Sequence, residues 1–238
     1  MEYFYSASVM KYGLQYGKEY CRWWHRFYNF PKYPFVTKTL TLSANTGTPW
    51  KVFKWGNSVY NSVGLDNIGI GAWMVDYAGN NPDAIVSLFG NDDQIAIMVD
   101  MLSHVKIRGI ELNFSCPNIP YQRNRHIPIS NHPIYLKLGY NSDPWVYDLD
   151  KVKGIRLNSV KSRNGTEWAV SGEKAKEKNW WAIETLIRSG INVAGCSFQT
   201  IDDLKALKNL GCEEIGIGSI MLTNPSLIGG KFKFKRGH

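Results

Sequence analysis

No C-x-x-C pair occurs in this chain, and its four cysteines (Cys21, Cys116, Cys196 and Cys212) stand far apart. That spacing excludes a small disulfide framework and carries no iron–sulfur pattern. No apolar run approaches the roughly 18 residues that a membrane span requires. The opening Met1-Glu-Tyr-Phe-Tyr5 has neither the basic segment nor the apolar core of a signal peptide. A glycine-rich first turn, needed by a doubly wound dinucleotide-binding sheet, is missing, as are any fixed-period repeat and any low-complexity linker. These absences leave a single cytoplasmic-type globular domain with reduced thiols as the expectation.

What is present fits that class. The 238 residues are 44% hydrophobic and 20% charged, and 28 Lys+Arg against 20 Asp+Glu give a formal net charge of +8. The excess can steer anionic small molecules. Its basic residues are dispersed except in the tail Lys231, Lys233, Lys235, Arg236, and no recognition motif accompanies them, so nucleic acid is not the expected partner.

Eight short apolar or β-branched runs recur along the chain, at 3–8, 35–42, 84–90, 109–115, 134–140, 154–160, 191–197 and 213–219. Three intervening segments read as helices. Between 92 and 106, Ile95, Met98, Met101, Leu102 and Val105 form one apolar stripe. Between 173 and 189, Ala182, Ile183, Leu186 and Ile187 cluster ahead of Gly190, a C-terminal cap residue. The third opens with the capping-box spacing Thr200-x-x-Asp203 and closes at Gly211. Segments 118–133 and 141–153 read as loops or single turns. Eight strands with crossovers predict an α/β fold, a compact single-domain (β/α)8 barrel over residues 1–238.

Strand side chains alternate between faces. Ile110, Leu112 and Phe114 oppose Glu111, Asn113 and Ser115; Leu136 and Leu138 oppose Lys137; Ile155 and Leu157 oppose Arg156 and Asn158. With the apolar faces turned to outer helices, the polar ones point into the barrel. Buried polar groups must be paired there, at a cost of order 1–7 kcal/mol for a neutral group left alone. An internal hydrogen-bond network would satisfy them. So would a polar ligand held by Asn113, Lys137 and Asn158 near the C-terminal strand ends, where barrel active sites lie. Spacing leaves both open. Cys116 follows the fourth strand at the same end and is either an inert small hydrophobe or an accessible thiol.

Glu111-Leu-Asn-Phe-Ser-Cys-Pro-Asn118 resembles the signature of the dihydroorotate dehydrogenases, flavin enzymes of pyrimidine synthesis. Val36-Thr-Lys-Thr-Leu-Thr41 with Gly47-Thr-Pro49, Tyr60-Asn-Ser-Val-Gly-Leu-Asp-Asn-Ile-Gly69, Ile134-Tyr-Leu-Lys-Leu138, Leu157-Asn-Ser-Val160 and Ile215-Gly-Ile-Gly-Ser219 resemble further family segments in the same order. The resemblance implies a (β/α)8 barrel holding FMN and oxidising dihydroorotate to orotate, with hydride passing to the flavin. Cys116 falls at the catalytic-base position, and Lys38 is the second catalytic position. Cysteine rather than serine resembles the soluble class. The membrane-associated, quinone-using class has serine and an N-terminal extension.

By the same resemblance, Asn61, Asn113, Asn118, Asn158 and Ser159, with the backbone of Val63, Gly64 and Leu65, would hold the substrate. Amides supply both the donors and the acceptors that orotate requires. Ala7, Ser8, Lys38, Thr39, Asn113, Lys137, Ser171, Gly172, Cys196, Ser197, Gly218 and Ser219 would hold FMN. A lysine beside the ring can stabilise the charge of the reduced flavin. A homodimer and fumarate as electron acceptor are implied in the same way.

Two departures bear on the cofactor. Cys196-Ser197 stands where the family has Gly-Gly at the flavin phosphate, and Trp168-Ala-Val-Ser-Gly172 stands where it has Gly-Gly-x-Ser-Gly. Weaker FMN retention follows if the side chains crowd the phosphate. The alternatives are a dehydrogenase of another dihydropyrimidine, such as dihydrouracil, and a degraded barrel that binds a partner or nucleic acid.

Overall fold

The computed structural model describes residues 1–7, 28–114, 126–161 and 168–231. Its first strands are β1 (Glu2–Tyr5), β2 (Tyr28–Asn29), β3 (Phe35–Val36), β4 (Val52–Trp55) and β5 (Ser58–Asn61). They are followed by β6 (Ala84–Leu88), β7 (Gly109–Asn113), β8 (Ile134–Leu138), β9 (Gly154–Leu157), β10 (Val160–Lys161) and β11 (Ala169–Gly172). The last two are β12 (Glu214–Ile217) and β13 (Gly230–Lys231).

Seven of these form one parallel sheet in the order β12-β1-β3-β6-β7-β8-β9. Of the predicted eight strands, seven pair in a curled parallel sheet that is not closed into a barrel. The expected strand at 191–197 does not form. Residues 192–195 instead make single bridges to each sheet edge, Ile155 with Val193 and Gly195 with Ile215. The Ala194 N–H donates to the Ile155 carbonyl and the Gly195 N–H to the Glu214 carbonyl. Two bridges fall short of a ladder.

The run at 35–42 also shortens, and its cause is local. The Ser87 N–H donates to the Thr37 hydroxyl at 3.0 Å rather than to a main-chain carbonyl, which interrupts the ladder after Val36. Pairing resumes at a bridge between Leu40 and Leu88.

The helices are α1 (Ile70–Asp76), α2 (Asp92–Leu102), α3 (Glu173–Arg188), α4 (Ile201–Leu210) and α5 (Ile220–Thr223). Asn91 and Gln94 close a capping box on α2, whose buried face carries Ile95, Met98, Val99 and Leu102. Thr200 and Asp203 do the same on α4, which ends at Gly211 with φ 102°. Single 3-10 turns at Pro144–Val146 and Leu149–Lys151 replace a crossover helix between β8 and β9.

The outward side chains of the sheet (Ile110, Leu112, Leu136, Leu138, Ile155, Ile215 and Ile217) pack beneath the helices with Trp73, Met98 and Ile183 in the main core. Burying each such side chain contributes roughly 1.5–3 kcal/mol. Inside the curl, Phe4, Val36, Ile85, Tyr135 and Ala194 form a separate small apolar cluster.

A four-stranded antiparallel sheet, β10-β11-β5-β4, is among the elements that sequence periodicity missed. Val59 pairs with Ser171 and Asn61 with Ala169 in its register. Alternation turns Val59, Asn61 and Ser171 toward the cavity described below, and packs Tyr60 against Val160, Val170 and Ala175.

Candidate functional site

The polar faces of β7, β8 and β9 open into a cavity of about 270 Å³, roofed by the antiparallel sheet. Its deep wall is a continuous polar chain. Asn158 Nδ2 lies 3.4 Å from Asn113 Oδ1, and Asn113 Nδ2 donates to Thr39 Oγ1 at 3.1 Å. The Thr39 and Ser87 hydroxyls are 3.0 Å apart, and Ser87 donates to Glu111 Oε1 at 2.9 Å. Glu111 is 2% exposed, so a carboxylate there demands cations. It has two: Lys137 Nζ at 3.6 Å from Oε1 and Arg156 NH1 at 3.6 Å from Oε2. Adjacent strands of a parallel ladder bring these residues level, Asn113 opposite Lys137 and Lys137 opposite Arg156.

The near wall belongs to the loop after β5. Asn67 holds that loop rigidly: its Oδ1 accepts from the N–H groups of Thr41 and Gly69, and its Nδ2 donates to the Leu65 carbonyl at 2.6 Å. Asn45 Nδ2 donates to the same carbonyl at 3.1 Å. The Thr48 N–H and hydroxyl donate to the carbonyls of Val63 and Ser62. Val63, Gly64 (φ 71°) and Leu65 thereby face the cavity. Lys38 reaches the same loop, with Nζ 2.5 Å from Asp66 Oδ2.

The third wall comes from residues 194–198 and 216–222. Ser197 adopts φ 58°, a left-handed conformation unusual for a residue with a Cβ. Its hydroxyl accepts from Asn179 Nδ2 at 3.0 Å, and Trp180 Nε1 donates to the Cys196 carbonyl at 3.0 Å. Burial pushes the Cys196 thiol up to about 11, against the opposing pull of hydrogen bonds from Ser197 and Asn179. It is a neutral wall group at physiological pH.

The structure thus gathers Ala7, Lys38, Thr39, Asn61, Val63, Gly64, Leu65, Asn113, Lys137, Asn158, Ser159, Ser171, Cys196, Ser197, Gly218 and Ser219 around one cavity. Gly172 is the exception. It does not line the cavity; with φ 84°, it lies where a Cβ would come 2.4 Å from the Asn57 carbonyl oxygen, so it serves the packing of α3 on the hairpin turn. Cys116, Asn118 and Ser8 lie outside the described residues. Among the lining residues that sequence reading missed are Asp66, Asn179, Phe198 and Met221. Asp66 stood inside a motif already singled out; the other three carry no local signal.

The donor set suits a heteroaromatic group rich in hydrogen-bonding atoms, such as FMN. Two lysines, three amides (Asn61, Asn113, Asn158) and the hydroxyls of Ser159, Ser171 and Ser219 face the same space, between the apolar walls of Val59, Phe198 and Met221. Asn179 Oδ1, buried without a hydrogen-bond partner, adds an unused acceptor at the Ser197 end.

Comparison with known proteins points the same way. The chain is 33% identical over 109 residues to a putative dihydroorotate dehydrogenase A (fumarate) of Solibacter usitatus, covering 43% of this chain and 35% of that protein. The namesake of Streptococcus agalactiae is 35% identical over 96 residues, covering 36% and 30% of the two chains. Part of the chain is thus similar to the dihydroorotate dehydrogenases. The catalytic subunit of dihydroorotate dehydrogenase B (NAD(+)) from Petrotoga mobilis is 35% identical over 90 residues, covering 35% and 30%. These alignments span about a third of the length of each curated dihydroorotate dehydrogenase. No protein-family model matches.

The fold is shared more widely. Ligand-free DHODH from Eimeria tenella superposes with a TM-score of 0.70 at 10% identity, over 96% of this chain and 81% of that one. The same enzyme in complex with ferulenol gives 0.64 over 96% and 78%. Among the described residues, no helix is long and apolar enough to cross a membrane.

Proposed function

We propose that this chain is an FMN-dependent oxidoreductase that converts dihydroorotate to orotate in pyrimidine biosynthesis, built on a (β/α)8 barrel in which residues 192–195 take the place of the seventh strand. The observation that carries the reading is the convergence of Asn61, Asn113, Asn158 and Ser159 with Lys38 and Lys137 on one cavity.

Dihydroorotate presents two N–H donors, ring carbonyls and a carboxylate. Asn113 and Asn158 offer matched donor and acceptor atoms at the cavity floor, and their own hydrogen bonds to each other and to Thr39 fix their orientation. That orientation costs nothing at the moment of binding. Gly64 and Leu65, held by Asn67 and Asn45, would supply the loop that meets the carboxylate, with Lys38, ion-paired to Asp66 of that loop, as its cation. FMN, when bound, supplies the two-electron acceptor. Lys137, Lys38, Ser171, Ser197 and Ser219 would hold it, with Lys137 placing positive charge beside the ring system.

Proton removal falls to Cys116 in this reading, two residues beyond the last described position after β7, Phe114. Its thiolate would take a proton from the dihydropyrimidine ring as hydride leaves the adjacent carbon. Fumarate is the proposed terminal acceptor, in keeping with the names of the bacterial relatives. The proposed assembly is a homodimer.

An absorption spectrum of the purified protein supplied with FMN, recorded before and after anaerobic dihydroorotate, tests the proposal. A flavin spectrum that bleaches on addition is the expected result. A flavin that stays oxidised overturns the substrate, and a protein that never takes up FMN overturns the redox reading.

A further inference from the structure

The cations of the cavity are already matched by anions of the chain. Lys38, Lys137 and Arg156 line it together with Asp66 and Glu111, and Glu214 lies 3.1 Å from Arg156 NH2. Three positive side chains thus meet three negative ones. The pair of Lys38 and Asp66 differs from the others. Glu111 is enclosed in the sheet, whereas Asp66 sits on the loop that carries Val63, Gly64 and Leu65, with its side chain 26% exposed and Lys38 only 6% exposed.

Asp66 is also aimed. The next residue, Asn67, is anchored to Thr41, Leu65 and Gly69, and the Gly47 N–H donates to Asp66 Oδ1 at 3.3 Å, leaving Oδ2 on Lys38. Backbone packs tightly behind it, since a Cβ on Gly47 would come 2.6 Å from the Asp66 Cβ. The carboxylate cannot drift away from Lys38 without disturbing that anchored turn.

We infer that Asp66 is a specificity-determining residue, a built-in carboxylate that competes with the carboxylate of an incoming ligand for Lys38. An anionic ligand in this cavity meets a like charge at the loop and a lysine already engaged, and both weaken its binding relative to an uncharged ring of the same shape. Asp66 therefore sets how strongly the site prefers a carboxylated pyrimidine over an uncharged one. The inference rests on the dihydroorotate reading of the cavity.

Calorimetric titration of the full-length chain with orotate and with uracil, in buffer containing FMN, tests it. Asp66→Asn keeps the Gly47 contact but removes the charge. It is expected to raise the ratio of orotate to uracil affinity by about tenfold or more. Asp66→Ser is a second route to the same loss of charge should the first variant fold poorly. In a Lys38→Met background, the same substitution should move the ratio less, because the lysine that Asp66 engages is gone and only the direct repulsion is left to relieve; a merely distorted loop would shift it equally in both backgrounds. Orotate binding with an unchanged or reversed ratio overturns the inference and leaves the functional proposal standing. Absence of binding by either pyrimidine, in wild type and variants alike, overturns both.

Discussion

Arg156 and Glu214 meet at 3.1 Å inside the curled sheet, and the same guanidinium lies 4.0 and 3.8 Å from the ring centroids of Phe4 and Tyr135. The arginine of this pair is largely removed from water, its side chain 5% exposed, and Glu214 is 15% exposed. Such pairs contribute little net stability, but breaking one strands the partner. Arg156→Leu leaves Glu111 without one of its two cations and Glu214 without its own. A loss of about 3–5 kcal/mol in urea unfolding is expected. Adding Glu214→Gln to that variant should recover part of it.

Ser197 tests the backbone beneath the proposed phosphate end. Its φ of 58° costs a side-chain-bearing residue roughly 1–2 kcal/mol. Ser197→Ala and Ser197→Gly both remove the hydroxyl that accepts from Asn179, but only glycine relieves the conformation. The alanine variant should be the less stable by about 1 kcal/mol after the entropy of the unfolded glycine chain is counted. Paired thermal melts measure the difference.

Gly172→Ala should be harmful for a different reason. The added methyl would meet the Asn57 carbonyl oxygen at 2.4 Å, at a residue with φ 84°. Neither contact nor backbone can give cheaply, so a destabilisation of about 2 kcal/mol or more is expected in the same melts. FMN affinity per folded molecule should change little, since Gly172 does not line the cavity.

Two thiols predict an alkaline limit. Burial pushes Cys196 up to about 11 and, with the neighbouring Cys196 charge, Cys212 up to about 12, against 9.0 for the free group. Folding therefore suppresses thiol ionisation. Their contribution is intact below pH 9 and is lost as pH climbs from 9 through the folded values, because only the unfolded chain releases those protons there. Stability measured by urea unfolding should fall over that interval, and Cys196→Ala with Cys212→Ala should flatten the slope. Neither thiol should react with iodoacetamide in the native protein at pH 8.

Asn113→Ala addresses binding directly. It removes the amide at the centre of the Asn158–Asn113–Thr39 chain and should weaken orotate by roughly 1–3 kcal/mol, about tenfold or more. Unchanged affinity by calorimetry would place the ligand elsewhere.

Much of this was legible in the residues themselves. Period-two alternation in Glu111–Leu112–Asn113 and in Arg156–Leu157–Asn158 foretold which faces were polar, because a strand permits only two faces. The capping box at Thr200 and Asp203 fixed the start of α4 through purely local bonds. The expected strand at 191–197 was not so legible. Its apolar character is real, but only the Ile155 and Ile215 bridges tell that the segment meets both sheet edges at single positions.

The pairing of the β4–β5 hairpin with β11 lay beyond sequence reading, since it joins residues more than a hundred positions apart through main-chain bonds that any side chain permits. The same holds for Asp66 and Lys38, 28 positions apart, and for Asn179 and Ser197. The sequence by itself determined the strand faces, the caps and the chemical types available to the site. Only the tertiary structure decided which charges became neighbours, because burial and distance, and not residue identity, set the strength of an ion pair.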